Sequence, residues 1–392
     1  MERQPGILSA RGRWAFKKPN VAFVNYMAHR MDPYSKDKNP NGVVNMSVAD
    51  NRLSVDLLEE KVGQNELWSP NMHDLLHYLV PTGHPELKPI VAIFVEHYFR
   101  SEIPISPEHL CFVPGSSSAF DMLGSALCEP GEVILCPSPF YHRIPDDFSE
   151  RALAKIVPVP MEESKTVTGQ LMSTRDHFER AYKSCVEQGE KVRAILIVNP
   201  SNPTGSIFDK AALLEILEFA KEKELVPIIS EIYGLSVYSE TTQFESIMSY
   251  YKTLPDPDNT IWIWGTSKDF CLPGIRFGVL HCKNAELHQT LDRYEFLQPV
   301  TTVVQRAVCR VSLQPQSHHD DVSRPANKRE ARFGYRLNES PYPAPWLWKR
   351  QDGSAAGASK RRAALTGLVN VGGRRRYLLG APFNMRYGFY PK

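Results

Sequence analysis

The chain has 392 residues, 42% of them hydrophobic, and carries 46 Lys and Arg against 44 Asp and Glu, a formal net charge of +2. That length holds one large domain or two ordinary ones, and so even a balance gives no reason to expect nucleic acid or an acidic membrane as partner. No apolar run approaches the roughly 20 residues that span a bilayer, residues 1–20 lack the apolar stretch of a secretory signal, and the seven cysteines are scattered without a CxxC pair, so no metal site is expected and a reducing, cytoplasmic setting is.

Between about residues 39 and 310 short apolar strands alternate with amphipathic helices. Pro114-Gly115-Ser116-Ser117-Ser118-Ala119-Phe120 is a small-residue turn entering a helix, and free amides at a helix start, joined by hydroxyls, bind phosphate well. Pro137-Ser138-Pro139-Phe140-Tyr141 offers an aromatic that either stacks on a ring or packs in the core. Residues 192–198 are rich in β-branched side chains and stop at Asn-Pro, the mark of a buried strand. The turn that follows, Asn199-Pro200-Ser201-Asn202-Pro203-Thr204-Gly205, holds Asn202 between two prolines. Apolar residues at helical spacing predict a helix over 210–221. Strands are predicted at 225–229 and 260–264, the first running into Ser230-Glu231-Ile232-Tyr233 and the second into a polar turn. Such alternation implies a mostly parallel sheet covered by helices, with ligands beyond the carboxyl ends of the strands.

The polar turn reads Gly265-Thr266-Ser267-Lys268-Asp269-Phe270-Cys271-Leu272-Pro273-Gly274-Ile275-Arg276-Phe277-Gly278. A lysine enclosed among small neighbours loses its proton more easily, and a neutral amine attacks an aldehyde to give a Schiff base. Arg276 offers a fork of donors to a phosphate dianion. After about residue 313 the pattern fades: 317–330 is polar without apolar period, and 351–362 reads as a basic linker. The expected organisation is an N-terminal arm at 1–40, a large ligand-binding domain at 41–312, and an atypical region at 313–392 of the kind a truncated or frame-shifted small domain gives.

In this order and spacing the motifs resemble those of the class I/II aminotransferases, pyridoxal 5'-phosphate enzymes of fold type I. The likeness is closest to 1-aminocyclopropane-1-carboxylate synthase and its fungal relatives, through Asn39-Pro40-Asn41-Gly42-Val43-Val44-Asn45-Met46 and Ala49-Asp50-Asn51-Arg52-Leu53. It covers about residues 32–310. The resemblance implies an α/β fold with a mostly parallel, seven-stranded type of sheet, flanking helices and a reduced or atypical small C-terminal domain. It implies pyridoxal phosphate on Lys268, which also shuttles the substrate's α-proton. Asn202 and Tyr233 would hold the ring hydroxyl oxygen; Arg276, Ser116, Ser117 and the Lys268 turn with Ser267 would hold the phosphate; Tyr141, or alternatively Phe140, would stack on the ring. Asp50, or Ala49 through its backbone, and Arg386 would meet the substrate. Residues 302–305 lie where a partner subunit often reaches the phosphate, and a two-fold homodimer is implied. The expected function is amino transfer on an amino acid or 2-oxo acid, with a role in secondary metabolism of the kind fungal relatives have. The alternatives are a lyase of the cyclopropane-synthase or C–S lyase kind and a degenerate, non-catalytic relative.

The resemblance breaks at specific places. The family has an aspartate at the position of Ser230, where it holds the proton on the pyridine nitrogen. Glu231 is next in sequence and reaches that nitrogen only if the strand register slips by one. Gly265 stands where a phosphate-binding serine is common, with Thr266 as a substitute. Pro81 replaces a tyrosine, with Tyr78 nearby.

Overall fold

Val192–Val198 is buried along most of its length, so its alternating side chains need cover on both faces; that requirement sets the architecture. The structure, a computed structural model, describes residues 7–9, 12–13, 16, 27, 29–45, 83–163, 170–237, 243–311 and 377–378. Ala49, Asp50, Tyr78, Pro81, Arg386 and nearly all of 313–392 lie outside the described residues. Two compact units divide the chain, one of Met1–Asp50 with Trp348–Lys392 and one of Asn51–Leu347. In the first, Asn39 donates to the Asp32 carboxylate at 2.8 Å and closes the turn that leads to β1 (Val44–Asn45), which pairs in parallel with β11 (Tyr377–Leu378).

The second unit runs α1 (Leu87–Tyr98), β2 (Leu110–Val113), α2 (Ser116–Leu127), β3 (Val133–Ser138), α3 (Ile144–Ser149), β4 (Lys155–Pro160), β5 (Glu162–Glu163), β6 (Leu171–Met172), α4 (Arg175–Glu187) and β7 (Val192–Val198). It continues through α5 (Lys210–Glu222), β8 (Val226–Ser230), β9 (Ile261–Gly265), α6 (Thr266–Asp269), β10 (Gly278–His281), α7 (Ala285–Leu297) and α8 (Thr302–Val311). The predicted strands and the predicted helix are present within a residue at each end. α5 starts where Asp209 accepts from the Ala212 amide at 2.8 Å and buries Leu213, Ile216, Leu217, Phe219 and Ala220, an apolar stripe at helical period. The polar turn after β9 is instead one turn of helix, α6, with Lys268 inside it.

The main sheet has seven strands in the order β2-β10-β9-β8-β7-β3-β4. β10 is antiparallel to β2 and β9, and the remaining pairs are parallel. The sheet divides the core in two. Ile134, Ala194, Leu196, Ile228, Ile261 and Ile263 pack with Phe120 and Leu123 of α2, Phe148 of α3 and Leu291 of α7. On the other face Ile195, Ile197, Ile229, Trp262 and Trp264 pack with α1, α4 and α5.

Phe94 of α1 sits on Trp264 with ring centroids 4.8 Å apart and also meets Phe99 and Phe270. This aromatic cluster lies beneath the end of β9, just before Lys268. Phe94→Ala leaves a cavity there and should lower unfolding stability by about 3–5 kcal/mol, measured by urea unfolding followed through tryptophan fluorescence.

Candidate active site

The carboxyl ends of β7, β8 and β9 each lead directly into a polar segment. After β7, the buried Asn199 fixes the loop. Its own amide donates to the Ser230 carbonyl at 2.9 Å, its side chain donates to the Phe208 carbonyl at 3.3 Å, and its Oδ1 accepts from the Phe208 amide at 3.0 Å. Within the loop Gly205, at φ +68°, donates to the Ser201 carbonyl at 2.8 Å. So held, Asn202 donates from Nδ2 to the Tyr233 hydroxyl at 2.9 Å. Two side chains expected on one ring oxygen are thus brought together from adjacent strand ends. Burial pushes the Tyr233 phenol well above its ordinary range, with the Asn202 bond acting in the opposite direction.

The Tyr233 turn is tied to the Lys268 helix by Asp269, a residue to which the sequence alone assigns no role. The Asp269 carboxylate accepts from the Leu235 amide at 3.1 Å, the Ser236 hydroxyl at 2.6 Å and the Trp264 indole at 2.8 Å. Burial raises its pKa to about 7 against those three bonds. Its signal was its place directly after Lys268 in a chain that turns at once. Lys268 and Ser267 are half-buried on α6.

On the other side, Gly115 at φ +90° enters α2, whose first amides have no carbonyl a turn before them. Ser116 opens the helix, half-buried. Arg276, itself at φ +58°, donates to the Pro273 and Pro114 carbonyls at 3.1 and 3.0 Å, which leaves other N–H groups of its guanidinium for an anion. A Cβ on Gly115 would lie 2.4 Å from an Arg276 nitrogen, so the arginine rests directly on the helix entry. A clustered cation with free helix-start amides fits a phosphate. Ser117 does not add its hydroxyl: that group donates to Asp147 at 2.7 Å, and a hydroxyl has one hydrogen to give. Asp147 is also held by Arg143 at 3.0 Å. Tyr141 is 42% exposed; burial, then Asp147, raises its phenol, while Arg143 and Arg276 act in the opposite direction.

Ser230 and Glu231 answer the register question. Ser230 pairs with Val198 and Ile263 in an unshifted ladder and, by strand alternation, shares the face of Ile228, the α2 face. Glu231 turns to the opposite face. Its carboxylate accepts from the Ser246 hydroxyl at 2.5 Å, the Trp262 indole at 2.7 Å and the Ile247 amide at 2.9 Å. Full burial raises its pKa to about 7 despite these bonds. Gly265 has no room for the family's serine side chain, because a Cβ there would lie 2.8 Å from the Phe277 carbonyl, and the Thr266 hydroxyl points to that carbonyl at 3.5 Å. Gln305, in the segment expected near a partner, is engaged within its own chain by the His84 amide at 2.6 Å and the Val300 carbonyl at 2.8 Å.

Two outcomes follow. Gly115→Ala meets both the positive φ and Arg276, and should cost more than about 1 kcal/mol in unfolding stability, read by urea unfolding. Stability should also fall as pH rises from 6.5 to 8. Glu231 and Asp269, raised to about 7, and Glu295, raised by burial to about 8, hold protons that the unfolded chain has released, so the folded state loses ground until they titrate. His281, lowered by burial to about 3, acts in the opposite sense, but only below its ordinary value of 6.5. Urea midpoints across this window, flattened in Glu231→Gln, test the sign; a rise from pH 6.5 to 8 would contradict it.

The sequence profile of aminotransferase class I and II matches residues 41–338. A mouse (Mus musculus) protein named probable inactive 1-aminocyclopropane-1-carboxylate synthase-like protein 2 is 35% identical over 334 residues, covering 84% of this chain and 56% of that protein. The cattle (Bos taurus) 1-aminocyclopropane-1-carboxylate synthase-like protein 1 is 36% identical over 282 residues, covering 71% and 55%. The chain thus spans about half the length of the curated relatives it matches. Alanine aminotransferase from Pyrococcus furiosus shares the fold at a TM-score of 0.64 and 21% identity, covering 85% of this chain and 76% of that one. With a profile match across well over half of its length, this chain belongs to the class I and II aminotransferase family, whose members depend on pyridoxal phosphate and share fold type I.

Proposed function

We propose that this chain binds pyridoxal 5'-phosphate on Lys268 and transfers an amino group between an amino acid and a 2-oxo acid. The observation that carries the reading is the 2.9 Å bond between Asn202 and Tyr233, because it unites two donors for one oxygen beside the turn that bears the lysine. When bound, the cofactor supplies an aldehyde that captures an amine and a ring that draws electrons from its α carbon. Asn202 and Tyr233 hold the ring hydroxyl oxygen. Arg276, the Ser116 hydroxyl and the first amides of α2 hold the phosphate, with Ser267 beside them; Ser117 serves through its backbone, since Asp147 takes its hydroxyl hydrogen. Tyr141 covers one face of the ring. Lys268 Nζ would hold the aldehyde carbon and, when free, would carry the proton of the substrate's α carbon. Asp50 and Arg386 remain the proposed substrate contacts, and the working form is a cytoplasmic homodimer. The proposed setting, as for fungal relatives, is secondary metabolism.

A second reading is favoured by the orientation of Glu231: a protein that retains the cofactor with little turnover, in keeping with the mouse relative named probable inactive. The lyase reading shares the same anchor. Saturation with pyridoxal phosphate should give the visible absorbance of a lysine-bound cofactor, lost in Lys268→Ala. Tyr233→Phe should weaken cofactor binding by about 0.5–1.5 kcal/mol, measured by equilibrium titration. Incubation with amino acids and 2-oxoglutarate then separates the readings: glutamate supports transfer, ammonia, thiol or cyclic product a lyase, and no product the low-turnover form. No visible band in saturated wild type overturns all of them.

A further inference from the structure

We infer that the site presents the cofactor's ring nitrogen with the hydroxyl of Ser230 and no carboxylate, so that this nitrogen stays unprotonated when the cofactor is bound. The inference rests on the proposed pyridoxal phosphate site.

The shape of the cofactor sets the geometry. Its aldehyde carbon is flanked by the ring hydroxyl on one side and the phosphate arm on the other, and the nitrogen is opposite the aldehyde across the ring. With Lys268 at the aldehyde, Asn202 and Tyr233 at the hydroxyl and Arg276 with the α2 entry at the phosphate, the nitrogen would be turned away from Lys268, and the end of β8 would be the part of the sheet left to meet it. Ser230 is the last residue of β8, 1% exposed, and stands on the α2 face, the same face as the phosphate cup. Val198 and Ile263, its neighbours across the ladder, are apolar.

The carboxylates of this region are committed elsewhere. Glu231 lies across the sheet with three hydrogen bonds, and bringing it round would break them together with the Val198–Ser230 and Ser230–Ile263 register. Asp269 is bonded to Leu235, Ser236 and Trp264. Asp147 is bonded to Ser117 and Arg143 beside the phosphate side.

A carboxylate next to a pyridine nitrogen favours its protonated form through a charge-assisted hydrogen bond. A serine hydroxyl instead donates to the nitrogen's lone pair, which favours the neutral form, and burial disfavours the cation further. A neutral ring withdraws electrons less strongly from the substrate α carbon. Anchoring and activation are therefore separate in this site: the residues that hold the cofactor are in place, and the group that charges its ring is replaced.

The test uses the full chain loaded with pyridoxal phosphate labelled with nitrogen-15 in the ring. The nitrogen resonance should lie in the neutral-pyridine range in wild type. Ser230→Asp should move it to the pyridinium range and accelerate conversion of the cofactor to its amine form by added amino acid. Ser230→Ala should keep the neutral range but shift the resonance, as the hydroxyl's hydrogen bond is lost; this variant serves if Ser230→Asp does not fold. A pyridinium resonance in wild type, or no shift in Ser230→Ala, overturns the inference while leaving cofactor binding intact. Absence of a borohydride-trapped adduct on Lys268 instead removes the binding reading and the inference with it.

Discussion

Backbone-to-backbone contact at three glycines sets the spacing of the whole site. A Cβ on Gly265 would lie 3.2 Å from the Gly278 Cα, one on Gly278 would lie 3.2 Å from the Gly115 Cα, and one on Gly115 would strike Arg276. Close approach of this kind is available only without side chains. It lets the end of β9, the start of β10 and the entry of α2 pack with no intervening layer. Lys268, one helical turn beyond Gly265, and the Arg276–Gly115 corner therefore sit on neighbouring segments. The same contact leaves little space for a side chain at Gly265: the Phe277 carbonyl and the Gly278 Cα stand where it would go.

A second constraint is strand alternation at the end of β8. Adjacent residues must face opposite layers, and the unshifted pairing to β7 and β9 leaves no slack. Glu231 therefore joins the aromatic face, where Trp262, Ser246 and the Ile247 amide satisfy it. Its three donors make a buried carboxyl tolerable in a layer that otherwise contains tryptophan, phenylalanine and isoleucine. Asp269 has a comparable role beyond the neighbouring strand, joining the Tyr233 turn to the Lys268 helix through side-chain and backbone donors.

Much of this was legible in the sequence. Periodicity placed β7, α5, β8 and β9, because burial of both faces or of one stripe writes itself directly into residue order. The motifs marked Asn202, Tyr233 and Lys268 because each follows a strand and therefore lies at one edge of a parallel sheet, and marked Arg276 as a fork of donors eight residues after Lys268. Partnerships over long separations were less accessible. Nothing local to Ser117 signals that its hydroxyl belongs to Asp147, thirty residues away. The bonds of Glu231 to Ser246 and Trp262 depend on a short helical segment (Ile247–Thr253) and a strand that meet only in three dimensions. α6 escaped notice for a different reason: a single helical turn leaves too few residues for a periodic pattern.

These constraints also explain how a chain of this family can keep a cofactor cradle while its chemistry changes. The proposed anchors lie on loops and helix entries fixed by Asn199, Asp269 and the glycine contacts, none of which depends on the side chain at position 230. A serine there is small, buried and compatible with β8 pairing, so the fold carries no evident penalty for it. The proposed ring nitrogen contact can thus vary independently of the groups that recognise phosphate, hydroxyl and aldehyde. Retention of those groups bears on binding alone; in the proposed site the electronic character of the bound ring is set at one strand-end residue, and a serine there is compatible with the architecture.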